Sequence, residues 1–210
     1  TPMVEPTFIY TIPDELAPSF RDSLILGYYA ANLQHDGFDQ GSTNRYQQFL
    51  NEAASYLDSR WDADPSDIEI AAGLRAINYK LQEVAIQKGK LTKALGYAEH
   101  NLEIATSLLD QELEPAENYQ WIYMDALSEA SFIRLQLDPS KAGEIREEIL
   151  DTRKQFPNAE VPLYLILQQG HCELALGKTK SAYHLYYEIC KEYPYDVDEI
   201  LAQIQREMEP

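Results

Sequence analysis

The 210-residue sequence is short of cysteine and of long apolar runs. Its two cysteines, Cys172 and Cys190, are too few for a disulfide framework, and their spacing matches no zinc or redox motif. Cysteine usage therefore leaves the compartment open, cytoplasmic or periplasmic. No apolar run reaches membrane-spanning length. Because the chain is also strongly acidic, anionic membrane surfaces should repel it, and we expect no direct contact of this region with a membrane.

Basic residues are also scarce, because 17 Lys and Arg stand against 35 Asp and Glu and give a formal net charge of -18. Such a chain repels phosphate backbones, which argues against a nucleic-acid partner. Two explanations of the acidity stay open. Either it serves solubility, or it favours a basic protein or peptide partner.

Motifs that carry chemistry are missing as well. The sequence contains no Gly-rich phosphate loop, no nucleophile elbow and no His-Glu-x-x-His metal helix. Of the four histidines, His171 and His184 are about equally distant from Gly177, six residues before it and seven after it, but we expect them to point in different directions and to share no metal. The sequence therefore predicts a protein that is not an enzyme and that needs neither a metal nor a cofactor.

The first residues differ in composition from the rest of the chain. Prolines at positions 2, 6 and 13 block a helix and predict an extended segment or linker over residues 1–16. Its apolar insert, Phe8-Ile9-Tyr10, favours packing of the segment against the body of the protein. Because residue 1 is Thr and not Met, we expect the chain to be processed or cut from a longer protein.

From residue 17 onward the pattern is helical. One stripe that steps by three and four residues comprises Ile70, Leu74, Ile77, Leu81 and Val84. After Gly89 a second stripe comprises Leu91, Leu95, Ala98, Leu102, Ala105 and Leu109. Ser66 and Glu69 form a candidate capping box at the start of this hairpin. Further hairpin turns are predicted near residues 38, 139 and 177, and a closing helix from about residue 196. An all-α chain of four antiparallel hairpins and a C-terminal capping helix is typical of a solenoid, with an irregular bundle as the alternative.

The last hairpin is the most informative stretch, "VPLYLILQQGHCELALGKTKSAYHLYYEICKEYP". Gly170, Gly177, Ala182, Tyr186 and Pro194 have the spacing of the tetratricopeptide repeat (TPR), which the stretch resembles. The small residues let two helices approach, Gly177 makes the turn, Tyr186 fills the gap and Pro194 ends the helix. The resemblance implies a TPR-like right-handed α-solenoid over residues 17–210, in which Ala182 should tolerate a larger side chain least.

The match is incomplete at two positions. Gln169 and Glu173 stand where the family has a large apolar and an aromatic residue. Around Gly89 the turn and the small Ala94 are kept, but Ala98 replaces the large residue.

The resemblance also implies a binding surface, because TPR-like solenoids present the first helix of each hairpin along a concave groove. In the last hairpin this face comprises Tyr164, Leu167, His171 and Leu174. The equivalent positions before Gly89 are Tyr79, Glu83 and Ile86. The expected groove is apolar with aromatic and acidic elements, and it lacks the Lys and Asn set with which some TPR domains hold a C-terminal carboxylate. The alternative is that the chain's own segment "TFIYTI" covers these side chains.

Two functions follow as hypotheses. The first is a non-catalytic scaffold that holds a protein or peptide, basic or anchored by apolar residues, in the concave groove. The second is a sensory or regulatory domain of a larger membrane-anchored or multidomain bacterial protein. The partner and the oligomeric state are left open.

Overall fold

The computed structural model describes residues 40–192. Within that range the backbone forms seven α-helices and one 3₁₀ turn and has no strand, which confirms the all-α prediction for this part of the chain. The α-helices are α1 (Gln40–Ala63), α2 (Ile68–Gln87), α3 (Leu91–Asp110), α4 (Ala116–Leu137), α5 (Ala142–Gln155), α6 (Leu163–Ala175) and α7 (Thr179–Glu192). The proposed segment 1–16, the turn near 38 and the closing helix from 196 lie outside the described residues.

The helices belong to two compact units that divide after Ile104, within α3. In the first unit α1 packs against α2. In the second unit α6 packs against α4, α5 and α7, and α4 also packs against α5. Helix α6, which carries most of the predicted binding residues, is therefore the central helix of the described part of the second unit.

Two hairpin turns are built in the same way. Gly89 and Gly177 have φ angles of 66° and 74°, a left-handed conformation that side chains with a Cβ disfavour. The N–H of Lys90 donates to the Ala85 carbonyl at 2.8 Å, and that of Lys178 donates to the Glu173 carbonyl at 2.8 Å. These bonds satisfy carbonyls that the ends of α2 and α6 would otherwise leave free. The predicted turns at 89 and 177 are confirmed.

The turn near 139 is confirmed too, but it uses different chemistry. Helix α4 ends at Leu137, and the 3₁₀ helix Pro139–Lys141 leads into α5. Asp138 Oδ1 accepts hydrogen bonds from the Ser140 backbone N–H at 3.1 Å and from the Ser140 hydroxyl at 2.6 Å. A proline and an Asp-Ser turn thus replace the glycine of the other two hairpins.

The capping box proposed for Ser66 and Glu69 is wrong. The N-cap of α2 is Asp67, whose carboxylate accepts from the backbone N–H groups of Glu69 and Ile70, both at 3.1 Å. The Ser66 hydroxyl instead donates to Asp64 Oδ1 at 2.6 Å. The Asp67 carboxylate occupies the position that the serine would need, and it also places a negative charge at the positive end of the helix.

The buried stripes match the sequence on α2 and differ on α3. All five predicted stripe residues of α2 are buried. On α3 the most buried positions are Ala94, Ala98, Ile104, Ala105 and Leu108, whereas the predicted Leu91, Leu95, Leu102 and Leu109 are only half-buried. Three of these five buried residues are alanines. No helix in the described range combines the length and apolar character that a bilayer crossing requires.

Candidate functional site

The predicted binding residues of the last hairpin share one face of α6. Tyr164 is 63% exposed and Leu174 is 45% exposed, while Leu167 and His171 are half-buried. Their spacing of three, four and three residues places them one above another along the helix. We call these four residues the α6 face. Tyr164 and Leu174 stand near the two ends of this face, ten residues apart, with the half-buried Leu167 and His171 between them.

The opposite side of α6 is polar and buried, which the sequence alone did not reveal. Gln169 accepts a hydrogen bond from Arg153 of α5, and Glu173 forms an ion pair with Arg146, which also belongs to α5. The second carboxylate oxygen of Glu173 lies 3.7 Å from Lys178 Nζ. These contacts explain the two departures from the TPR pattern, because α5 supplies a guanidinium opposite each of these two buried polar residues.

A third side of α6 meets α7 at a close approach. A Cβ added to Gly170 would lie 2.5 Å from Cε1 of Tyr186, so the tyrosine ring lies directly against the glycine backbone. The Tyr186 hydroxyl is 2.7 Å from His171 Nδ1, and the two rings meet edge to face at 5.5 Å between centroids. Tyr183 packs edge to face on Tyr186 at 6.2 Å. Tyr186 therefore fills the gap beside a small residue, as predicted, and also holds His171 in place.

The titratable groups around this contact favour their neutral forms. Burial lowers the pKa of His171 from its ordinary value of 6.5. Burial raises the pKa of Tyr186, and Tyr183 and Cys172 add to that rise. Burial, reinforced by Glu173 and opposed by Arg146, raises the pKa of the Cys172 thiol to about 11. A neutral imidazole bonded to a phenol, beside a protonated thiol, offers a polar and aromatic contact surface rather than a nucleophile.

The predicted residues of the first unit also share one face, on α2. Tyr79 is 38% exposed, and Glu83 and Ile86 are half-buried one and two turns further along. Lys80 Nζ lies 2.9 Å from Glu83 Oε2 and 5.5 Å from the centre of the Tyr79 ring. This lysine neutralises the acid that was expected to attract a basic segment. The α2 face is therefore a weaker candidate than the α6 face.

A polar cluster in the first unit was missed by the sequence reasoning. His100 of α3 lies between Asn78 of α2, at 3.2 Å from Nδ1, and Asp58 of α1, at 3.4 Å from Nε2. Burial raises the pKa of the Asp58 carboxyl, His100 opposes the rise and Asp62 adds to it. Both imidazole nitrogens face partners, so His100 connects three helices. The one available signal was Asn78, a polar residue beside Ile77 of the buried stripe.

His171 and His184, which lie on either side of the Gly177 turn, do not meet at a metal site. Nδ1 of His171 faces the Tyr186 hydroxyl, whereas His184 is exposed on α7. In the range 40–192 no group of three or more His, Cys, Asp or Glu side chains is arranged to hold a metal ion.

The described part of the chain is all-α, and its helices α6 and α7 form an antiparallel hairpin. No protein-family model, curated protein or solved structure matches the chain significantly. The resemblance of residues 161–194 to the TPR therefore stays a prediction from the sequence.

Proposed function

We propose that this chain is a TPR-like solenoid that binds a partner protein or peptide without catalysing a reaction. The single observation that carries the proposal is the α6 face, where Tyr164 and Leu174 stay exposed on a central helix. Interface energy concentrates in aromatic anchors of this kind, because a tyrosine buries a large area at a small cost in conformational entropy.

The packing order in the second unit supports the solenoid part of the proposal. Helix α6 packs against α5, against α7 and against α4, and α4 packs against α5. In a TPR array the first helix of a repeat contacts its own partner, both helices of the preceding repeat and no earlier helix. Helices α4 and α5 would then be one repeat, and α6 and α7 the next.

Within this proposal the residues have distinct roles. Tyr164, Leu167 and Leu174 supply apolar area to the partner, and His171 supplies a ring and a hydrogen-bonding nitrogen held by Tyr186. Tyr79, Glu83 and Ile86 would form a second, weaker contact on α2, since Lys80 already pairs with Glu83.

Affinity capture with matched variants tests the proposal. The unaltered chain, a Tyr164→Ala/Leu174→Ala variant and an Ile68→Ala control are immobilised and exposed to extract of the source cells. Ile68 is 43% exposed, lies at the start of α2 and is not a member of the α6 face. We expect at least one protein to be retained by the unaltered chain and the control and lost from the double variant. Equal retention by all three would rule out the α6 face as the binding surface.

A further inference from the structure

His171 carries the ring nitrogens of the α6 face, and the two nitrogens have different surroundings. Nδ1 lies 2.7 Å from the Tyr186 hydroxyl. The second nitrogen, Nε2, has no hydrogen-bond partner among the described residues, and it is not one of the atoms that the fold buries without a partner. A molecule that binds the α6 face can therefore reach Nε2.

The contact with Tyr186 favours one tautomer of His171. Burial lowers the pKa of His171, so near neutral pH the imidazole is uncharged and has one donor and one acceptor nitrogen. A phenolic O–H is a ready donor, and within the described residues the Tyr186 hydroxyl makes no hydrogen bond other than the one to Nδ1. Donation from the hydroxyl to Nδ1 leaves the proton of the ring on Nε2, because the bond at one nitrogen determines the state of the other.

The α6 face has no formal charge that would select an ionic partner. Helix α6 contains no Lys, Arg or Asp, and its single acid, Glu173, pairs with Arg146 of α5. Apolar area lies on both sides of His171, with Tyr164 toward one end of the face and Leu174 at the other. Because a charge that is buried without a partner is costly, this face is complementary to an uncharged apolar segment.

The spacing of the α6 face matches that of a second helix. At about 1.5 Å per residue, its four side chains lie about 4.5, 6 and 4.5 Å apart along the helix axis. An amphipathic helix has a stripe with the same steps of three and four residues, whereas side chains on one face of a strand lie about 6.6 Å apart. The backbone carbonyls of such a helix already accept hydrogen bonds, so the acceptor for an Nε2–H group has to be a side chain.

We propose that the α6 face binds an amphipathic helix whose apolar stripe contains one uncharged hydrogen-bond acceptor, which receives the Nε2–H group of His171. The inference rests on the proposed function and specifies its partner. Apolar side chains of the partner pack on Tyr164, Leu167 and Leu174, while an amide or hydroxyl side chain meets His171. A helix without an acceptor would leave the N–H group buried and unpaired, so His171 discriminates among apolar helices.

Nitrogen-15 NMR of the free chain tests the tautomer. Long-range proton–nitrogen correlation distinguishes a protonated ring nitrogen from an unprotonated one, and a His171→Phe variant identifies the His171 signals by their loss. We expect the proton on Nε2 near neutral pH. A proton on Nδ1 would overturn the inference, because Nε2 would then be an acceptor itself.

Calorimetric titration with three synthetic amphipathic helices tests the selectivity. The helices differ at one position within a leucine stripe, which holds methionine sulfoxide, an uncharged acceptor, or methionine, of similar shape, or lysine, a donor without an acceptor. We expect the sulfoxide helix to bind about threefold to tenfold more tightly than the methionine helix, the gain from one net hydrogen bond. The lysine helix should bind no more tightly than the methionine helix at physiological salt, where long-range attraction is screened.

Variants separate the role of the ring from that of its support. His171→Phe keeps an aromatic ring without an N–H group, so it should bind the sulfoxide and methionine helices equally. Tyr186→Phe removes only the hydroxyl that holds the ring, so the preference for the sulfoxide should decrease while the methionine helix still binds. Tyr186 would then be a positioning residue. Ile68→Ala, on α2, is the control and should keep the full preference.

Other results would overturn the inference. Equal binding of the sulfoxide and methionine helices to the unaltered chain would show that His171 selects no acceptor. Tightest binding of the lysine helix would show that charge determines the choice. Binding of none of the three would show that the face does not take amphipathic helices, and His171 signals that change with protein concentration alone would assign it to a second copy of the chain. None of these results repeats the capture experiment, so the proposed function can survive the failure of this inference.

Discussion

The contact between Gly170 and Tyr186 makes a sharp prediction about stability. A Gly170→Ala substitution adds a Cβ at 2.5 Å from Cε1, 3.0 Å from Cδ1 and 3.2 Å from Cζ of Tyr186. The ring cannot retreat freely, because its hydroxyl is hydrogen-bonded to His171 at 2.7 Å. We therefore expect the new methyl group to push the ring away, to break this bond, or to separate α6 from α7.

The magnitude follows from three opposing contributions. Overpacking of a close contact costs about 1–3 kcal/mol. Loss of the bond to His171 costs about 0.5–1.5 kcal/mol. The higher helix propensity of alanine returns about 1 kcal/mol. The expected net loss is about 2 kcal/mol, which should lower the Tm of a chain of this size by about 4–8 °C.

Gly96→Ala is the matched control, because Gly96 lies inside α3 and an added Cβ there meets nothing within 4 Å. Only the propensity gain applies, so its Tm should rise by about 2–4 °C. Thermal unfolding followed by circular dichroism measures both variants. In a Tyr186→Ala background the Gly170→Ala substitution should cease to be destabilising. If Gly170→Ala and Gly96→Ala shift the Tm in the same direction and by the same amount, the proposed close approach of α6 and α7 is wrong.

Three further outcomes can be measured on the second unit. Arg146→Ala should lower the free energy of unfolding in urea by about 1–3 kcal/mol, because it removes the main partner of the buried Glu173 carboxylate and leaves only Lys178 at 3.7 Å. The double substitution Arg146→Met/Glu173→Leu should restore the free energy of unfolding, because it removes both charges. The pKa of His171 is lower in the folded chain than its ordinary 6.5, so the folded state favours the neutral imidazole. The free energy of unfolding should therefore decrease as the pH falls below about 6.5, because the unfolded chain then binds the proton more readily. A His171→Asn variant should lack this part of the pH dependence. In a Cys190→Ser chain the Cys172 thiol, fully buried and with a pKa of about 11, should react with a maleimide only after denaturation. Rapid reaction of this native variant would contradict the burial of Cys172.

Features that depend on local sequence could be predicted. The α2 stripe follows from the helical period, and the turns at Gly89 and Gly177 follow from the position of glycine between two amphipathic runs. Cys172 and Cys190 are free, as expected for two cysteines that are too few for a disulfide framework. In each of these cases the physical cause lies within one helix or one turn, so that the sequence contains all the information that is needed.

Features that depend on a distant partner could not be predicted. In the sequence, Gln169 and Glu173 are only departures from a repeat pattern. In the structure they face Arg153 and Arg146 of α5, which explains why polar residues are buried there. In the sequence, His100 is one of four scattered histidines, and only the structure shows that it contacts Asn78 and Asp58 on two other helices. The register that brings such residues together depends on helix packing, which periodicity alone does not determine.

The two small residues of the last hairpin, Ala182 and Gly170, differ in how much of their environment the sequence predicted. Ala182 is fully buried, as the repeat pattern predicted, so a larger side chain there should still be costly. The sequence did not reveal how closely the Tyr186 ring approaches the Gly170 backbone, because the position of that ring depends on its bond to His171.

Site-specific photocrosslinking tests the central claim, that the α6 face binds a partner, most directly. The photoreactive residue p-benzoylphenylalanine is introduced at Tyr164 in one variant and at Ile68 in a control, and both are irradiated in the source cells. Both side chains are exposed, so each position accepts the bulky group without disturbing the core. We expect a discrete crosslinked product from position 164 that is missing from position 68 and that disappears when Leu174→Ala is added. No product from position 164, or the same products from both positions, would contradict the claim.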